Sequence, residues 1–187
     1  MALRIIAGEL KGRRLRSVQG TKTRPTADRI REAIFNILAF QIQDSTVLDL
    51  FAGTGAFGIE ALSRGAESVV FVDVDNDSIC VLQENIKSLA LESMTRIIRW
   101  DLIRNLNCLG SVRSAVNLVF MDPPYNKNMI EPTLLNLHSS RSMENGARIV
   151  VEHSHLEPVL KSQLPFDISD QRRYGKTLVS FLNYKES

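Results

Sequence analysis

Residues 46–58, TVLDLFAGTGAFG, set an apolar, strand-forming run directly before Gly53, Gly55 and Gly58. An apolar run that breaks into GxGxxG and then opens a helix is the sequence form of a backbone approaching a nucleotide at a helix N-terminus. A strand–loop–helix crossover needs a parallel strand to return to, so this feature alone commits the chain to an α/β architecture. The remaining pattern agrees. Strands are expected at 68–72, 95–100, 116–121 and 147–153, and helices at 57–64, 77–91 and 130–138. A hairpin over 170–184 turns at Gly175. Strand–helix alternation predicts a mainly parallel sheet with helices on both faces and an antiparallel strand at its C-terminal end.

The glycine loop by itself suits a dinucleotide, and Asp73, twenty residues beyond Gly53, stands where a carboxylate receives ribose hydroxyls. Asp49, ahead of the glycines, brings a negative charge to the loop. That charge is unwelcome beside a pyrophosphate and useful beside a cationic amino group. S-adenosylmethionine carries such a group, a ribose and no phosphate. Asp101, following Trp100 at the end of the third strand, is placed to accept the adenine amino group.

Asp122-Pro123-Pro124-Tyr125 closes the fourth strand, whose unbroken apolar run VNLVFM reads as buried on both faces. In an open α/β sheet this segment faces the same crevice as the glycine loop. The exocyclic amino nitrogen of a nucleobase is a poor nucleophile, because its lone pair is delocalised into the ring. The Asp122 carboxylate and the Pro123 carbonyl each accept one N–H, orienting the nitrogen for attack on a methyl group. Pro123 and Pro124 stiffen the turn and remove competing donors. Tyr125 offers a face for an extruded base.

Charge is distributed unevenly. Residues 1–31 hold nine Lys/Arg against Glu9 and Asp28, a net +7, whereas the remainder is −5 within a total of +2. A basic arm on an acidic body reads as a polyanion grip. Residues 3–18 suit a small hairpin, and Thr26 caps a helix running to about Phe40. The candidate polyanion contacts are Arg4, Lys11, Arg13, Arg14, Arg16, Arg24, Thr26 and Arg31. Cys80 and Cys108 form neither a disulfide framework nor a metal cluster, so no metal is expected. The start, MALRIIAGELKGRR, lacks a signal-peptide core, and no apolar run is long enough to span a bilayer. A cytoplasmic location is expected.

The chain resembles the bacterial 16S rRNA (guanine-966-N2)-methyltransferases. The resemblance rests on RIIAGELKGRRL, TRPTADRIREAIFNIL, VLDLFAGTGAFGIEALSRGA, FVD, DPPY and RRYGKTLVSFL. It implies a Rossmann-like class I methyltransferase fold of seven strands, S-adenosylmethionine as cofactor, and N2 methylation of one guanine in 16S rRNA or the assembling small ribosomal subunit. It places Asp122, Pro123, Pro124 and Tyr125 at the target base. Asp49, Phe51, Ala52, Gly53, Gly55, Asp73, Val74, Asp101 and Leu102 fall to the cofactor. The expected organisation is a basic extension over 1–40 and a catalytic domain over 41–187. Only 62 residues follow Tyr125, too few for a separate DNA-reading module. The competing readings are methylation of adenine N6 or cytosine N4 in DNA, an NAD-dependent oxidoreductase, and a non-catalytic assembly factor.

Overall fold

The computed structural model describes residues 3–18, 25–111, 115–157, 159 and 165–185, with only the backbone at 25–27 and 111. Seven strands form one sheet: β1 (Thr46–Leu50), β2 (Ser68–Asp73), β3 (Thr95–Arg99), β4 (Val116–Met121), β5 (Met143–Ser154), β6 (Phe166–Tyr174) and β7 (Thr177–Tyr184). Their order is β3-β2-β1-β4-β5-β7-β6. The pairs from β3 across to β5 are parallel, and β7 runs antiparallel to both β5 and β6. The helices are α1 (Pro25–Ile37), α2 (Ala56–Ser63), α3 (Asn76–Leu89) and α4 (Ile130–Ser139).

The period-2 alternation of the buried strands divides the apolar residues between two layers. Val47, Val69, Phe71, Leu118 and Phe120 pack under α1, α2 and α3. Leu48, Leu50, Val70, Val72, Val119 and Met121 pack against α4 residues Ile130, Leu134 and Leu137. The same alternation turns Asp49 toward the helix that follows it. Phe120 joins the first layer's helices, with its ring centroid 5.3 Å from Phe35 of α1 and 5.2 Å from Phe57 of α2.

The N-terminal arm is a narrow ribbon, bridged at Arg4 and Arg14 and closed by Ile5 N–H to Arg13 O at 3.0 Å and Leu15 N–H to Leu3 O at 2.9 Å. Leu3, Ile5 and Leu15 are buried in the same cluster as α1 and α2. Its turn presses on the end of α2. A Cβ on Gly8 would stand 1.7 Å from Ser63 O, and its φ of +81° is in the left-handed region.

Three element boundaries differ from the sequence reading. Helix α1 stops at Ile37 instead of Phe40, which is fully exposed, so the apolar periodicity there outruns the surface that α1 can bury. Strand β5 begins at Met143, which pairs with Val116; the next pair is Leu118 with Arg148, so the extra residues of the irregularity lie in β5, where the polar Glu144-Asn145-Gly146 run conceals the early start in sequence. Strand β6 starts at Phe166, where an alternating Phe166/Ile168 face precedes the turn.

Candidate active site at the strand ends

Strands β1 and β4 are neighbours, Leu50 lying beside Met121, and the chain leaves them toward opposite edges of the sheet. This is the switch point at which open α/β sheets leave a crevice. The glycine loop follows β1 and the DPPY segment follows β4, so both line one rim.

The loop is held from both ends. Gly58 N–H donates to Asp49 Oδ2 at 2.9 Å, tying the first turn of α2 to β1. Gly53 N–H donates to Asp73 Oδ2 at 2.7 Å, and Asp75 N–H donates to Asp73 Oδ1 at 2.9 Å. Phe51, Gly53 and Gly55 take φ values of 58°, 54° and 81°. Ala52 N–H donates to Val72 O at 3.2 Å. A Cβ on Gly53 would meet nothing nearer than Phe51 O at 3.9 Å, so the loop backbone is open to an approaching ligand. Beside Asp73, Val74 is 62% exposed, an apolar side chain standing uncovered at the strand end.

These features fit S-adenosylmethionine. The open glycine backbone and Asp73, held at the end of β2 by Gly53 and Asp75 N–H, suit a ribose-bearing ligand at this rim. Asp73 is fixed in orientation yet retains lone pairs for ribose hydroxyls, because an ionised carboxylate accepts about four hydrogen bonds. Asp49 differs from the fixed charge that the sequence reading expects. It is 2% exposed, and burial pushes its carboxyl up to about 8, with Asp73's charge adding to the rise and the Gly58 bond opposing it. Near neutral pH the carboxyl is therefore mainly protonated, and its visible task is to anchor α2. Asp101 is exposed and accepts Ile103 N–H at 3.0 Å. Leu102 is buried, its carbonyl receiving Asn136 Nδ2 at 2.8 Å.

Across the rim, Pro123 is buried, Asp122 and Tyr125 are half-buried and Pro124 is exposed. Tyr125 Oη donates to Glu152 Oε1 of β5 at 2.8 Å and lies 3.2 Å from Thr177 Oγ1 of β7. Burial, then the Glu152 charge, pushes the phenol's pKa above its ordinary value, with Asp122 contributing in the same sense. The hydroxyl thus stays protonated beside Glu152. Asn126 N–H donates to Glu157 Oε2 at 2.5 Å, fastening the far side of the turn. His153 is structural: it is 1% exposed and its Nε2 lies 2.8 Å from Ser180 Oγ.

The basic arm divides into two roles. Arg4, Lys11, Arg13, Arg14 and Arg16 are exposed. Arg13 Nη2 donates to Ser88 O at 3.2 Å and Arg16 Nη1 to Glu84 Oε2 at 2.8 Å, on the surface of α3. Arg31, expected to meet RNA, is instead 3% exposed. It donates to Arg4 O at 2.6 Å, pairs with Asp28 Oδ1 at 3.1 Å and lies 4.0 Å from Glu60 Oε2. Helical spacing places Arg31 on the same side of α1 as Ile34 and Phe35, so it turns inward and clamps the arm. Arg24 and the side chain of Thr26 lie outside the described residues.

Sequence reasoning overlooked Glu60, Glu152, Glu157 and Thr177. Glu60, fully buried, accepts Ile6 N–H at 2.7 Å, Ala7 N–H at 3.0 Å and Arg64 Nε at 2.8 Å. A lone acid inside the apolar run AFGIEALS is the signal that could have found it, as Glu152 inside RIVVEHS could have been found.

The sheet order, the glycine loop over β1 and the DPPY turn over β4 define a class I methyltransferase dependent on S-adenosylmethionine. Within that class the chain belongs to the family described as Conserved hypothetical protein 95, whose model matches residues 3–183. It is similar to "Putative rRNA methyltransferase YlbH" of Bacillus subtilis, 36% identical over 183 residues, covering 95% of this chain and 97% of that one. It is also similar to "Ribosomal RNA small subunit methyltransferase D" of Escherichia coli, 38% identical over 152 residues, covering 80% of this chain and 74% of that one. Among solved structures, "Putative methyltransferase yhhF" from Escherichia coli superposes with a TM-score of 0.85 at 31% identity, covering 100% of both chains.

Proposed function

We propose that this rRNA methyltransferase methylates the exocyclic N2 amino group of a single guanine, of the guanine-966 type, in 16S rRNA or the assembling small subunit, in the cytoplasm. The observation that carries the reading is the adjacency of β1 and β4, which sets the DPPY turn beside the glycine loop. Names of relatives over nearly the whole chain support rRNA as the substrate class.

S-adenosylmethionine, when bound by the glycine loop and Asp73, supplies a sulfonium-activated methyl group. The chain's own residues do the rest. Asp122 and the Pro123 carbonyl accept the two N–H bonds of the guanine amino group, which holds the nitrogen in place for attack. The proton lost after transfer leaves along the hydrogen bond to Asp122. Tyr125, clamped by Glu152 and Thr177, presents its ring to the extruded base. Exposed arm cations hold the phosphates that position the RNA.

Mass spectrometry of nucleosides from a strain lacking the gene tests the reading. The expected result is loss of N2-methylguanosine from 16S rRNA and its return on re-expression. Unchanged N2-methylguanosine, with loss of N6-methyladenine or N4-methylcytosine from DNA, would overturn it.

A further inference from the structure

The hairpin between β6 and β7 carries a second cluster of cations that the arm does not account for. Arg172, Arg173 and Lys176 are all exposed, and the stretch 171–176 contains no acid. Its charge is +3 on a body that is otherwise acidic. Asp170 Oδ2 lies 2.8 Å from Arg172 Nε, leaving the Arg172 side chain 57% exposed.

Topology places this tip at the active-site rim. Strand β7 begins at Thr177, paired with Ser154 at the C-terminal end of β5, so the β6–β7 turn stands at the same end of the sheet as the DPPY segment. Thr177, next to Lys176, is itself 3.2 Å from the Tyr125 hydroxyl. At about 4.8 Å per strand, β6 stands roughly 14 Å across the sheet from β4, within reach of the nucleotides flanking a base at Tyr125. The tip is also rigid. His155 N–H donates to Lys176 O at 3.0 Å, and Arg173 Nε donates to Gly175 O at 3.0 Å. The N-terminal arm reaches the rim at its Arg16 end, where Arg16 N–H bonds Asn85 Oδ1 and Asn85 Nδ2 donates to Thr54 O of the glycine loop at 3.0 Å, so this end and the hairpin tip flank the cleft.

We propose that Arg172, Arg173 and Lys176 on the hairpin tip grip phosphates of the RNA strand beside the target guanine, opposite the N-terminal arm. The proposal rests on the rRNA guanine reading above. A rigid basic tip carries no sequence information, but it fixes register and orientation on the backbone, which base-directed chemistry in the cleft requires.

The test compares wild type with an Arg172→Gln/Arg173→Gln/Lys176→Gln variant and an Arg172→Lys/Arg173→Lys variant. The readouts are binding to unmodified 16S rRNA transcript across a salt series, S-adenosylhomocysteine affinity, and methylation of both the transcript and small subunits from the knockout strain. The glutamine variant should flatten the slope of log affinity against log salt by roughly two to three. Its cofactor affinity should match wild type, which shows that the sheet is intact, and the lysine variant should keep the wild-type slope. A slope unchanged by the glutamine substitutions overturns the hairpin assignment while leaving the enzyme reading standing. An unchanged slope with activity lost only on assembled subunits overturns it in favour of a protein contact. Wild type that fails to methylate guanine N2 would overturn the enzyme reading, and the binding slope still decides the hairpin.

Discussion

The Tyr125 hydroxyl donates a 2.8 Å hydrogen bond to Glu152, binding the turn after β4 to the end of β5. On the reading proposed above, Tyr125 makes two contributions, its hydroxyl fastening the turn and its ring stacking on the base. Tyr125→Ala should lower kcat/KM on rRNA roughly 10- to 100-fold, because stacking on one base is worth about 1–3 kcal/mol. Tyr125→Phe keeps the ring and should stay within about 10-fold of wild type while losing thermal stability, since a hydrogen bond to a charged acceptor is worth about 1.5–3 kcal/mol. Steady-state kinetics on the two variants separate ring from hydroxyl; equal losses would assign the effect to the anchor.

The proposed mechanism rests most heavily on Asp122. Asp122→Ala and Asp122→Asn should both reduce product formation by at least 100-fold, since a single positioned charge at the reacting centre is worth about 2.7–4 kcal/mol. Titration calorimetry should find S-adenosylhomocysteine binding within a few-fold of wild type, because the substitution leaves the proposed cofactor residues after β1 and β2 untouched. Wild-type turnover by Asp122→Asn would remove Asp122 from the reaction.

Asp49 makes stability depend on pH in a direction unusual for a carboxylate. Burial raises its folded value to about 8 from an ordinary 3.8. The folded chain therefore keeps a proton that the unfolded chain releases, and this contribution is complete below about pH 4 and gone above about pH 8. Asp49→Asn retains an acceptor for Gly58 N–H and never ionises. Its melting temperature should rise relative to wild type as pH increases from about 5 to about 8.5. A difference that stays constant across that range would place the ionisation elsewhere.

Glu60 is a positioning residue for the whole arm. It takes two arm N–H groups and Arg64 Nε, while lying 4.0 Å from the buried Arg31 guanidinium, whose pKa burial draws downward. Asp28 still pairs with Arg31 at 3.1 Å, but Glu60→Ala takes the acceptor from Ile6 N–H, Ala7 N–H and Arg64 Nε, and each stranded donor should cost about 1–3 kcal/mol in urea unfolding. Glu60→Gln should lose less, and limited proteolysis should cut its arm sooner than the rest of the chain. An arm as resistant as wild type's would show that Leu3, Ile5 and Leu15 hold it unaided.

The strands, the glycine loop and the DPPY turn were legible in the residues because each is a local pattern. Periodicity of two or 3.6 marks the elements, and Gly53, Gly55 and the two prolines restrict the backbone wherever they stand. Long-range pairings were not legible. Nothing in the spacing of RPTADRIRE says that Arg31 turns inward, since an arginine on a helix reads as solvated until Glu60 and Asp28 appear beside it. Asp49 looked like a fixed charge because a sequence carries no desolvation. Arg172, Arg173 and Lys176 acquired meaning only when β7, running antiparallel between β5 and β6, carried the turn to the cleft. Local chemistry thus settled the class of the protein and named its candidate reacting groups. Burial and strand order, which depend on residues far apart in the chain, decided which charges hold the fold together and which remain available to bind RNA.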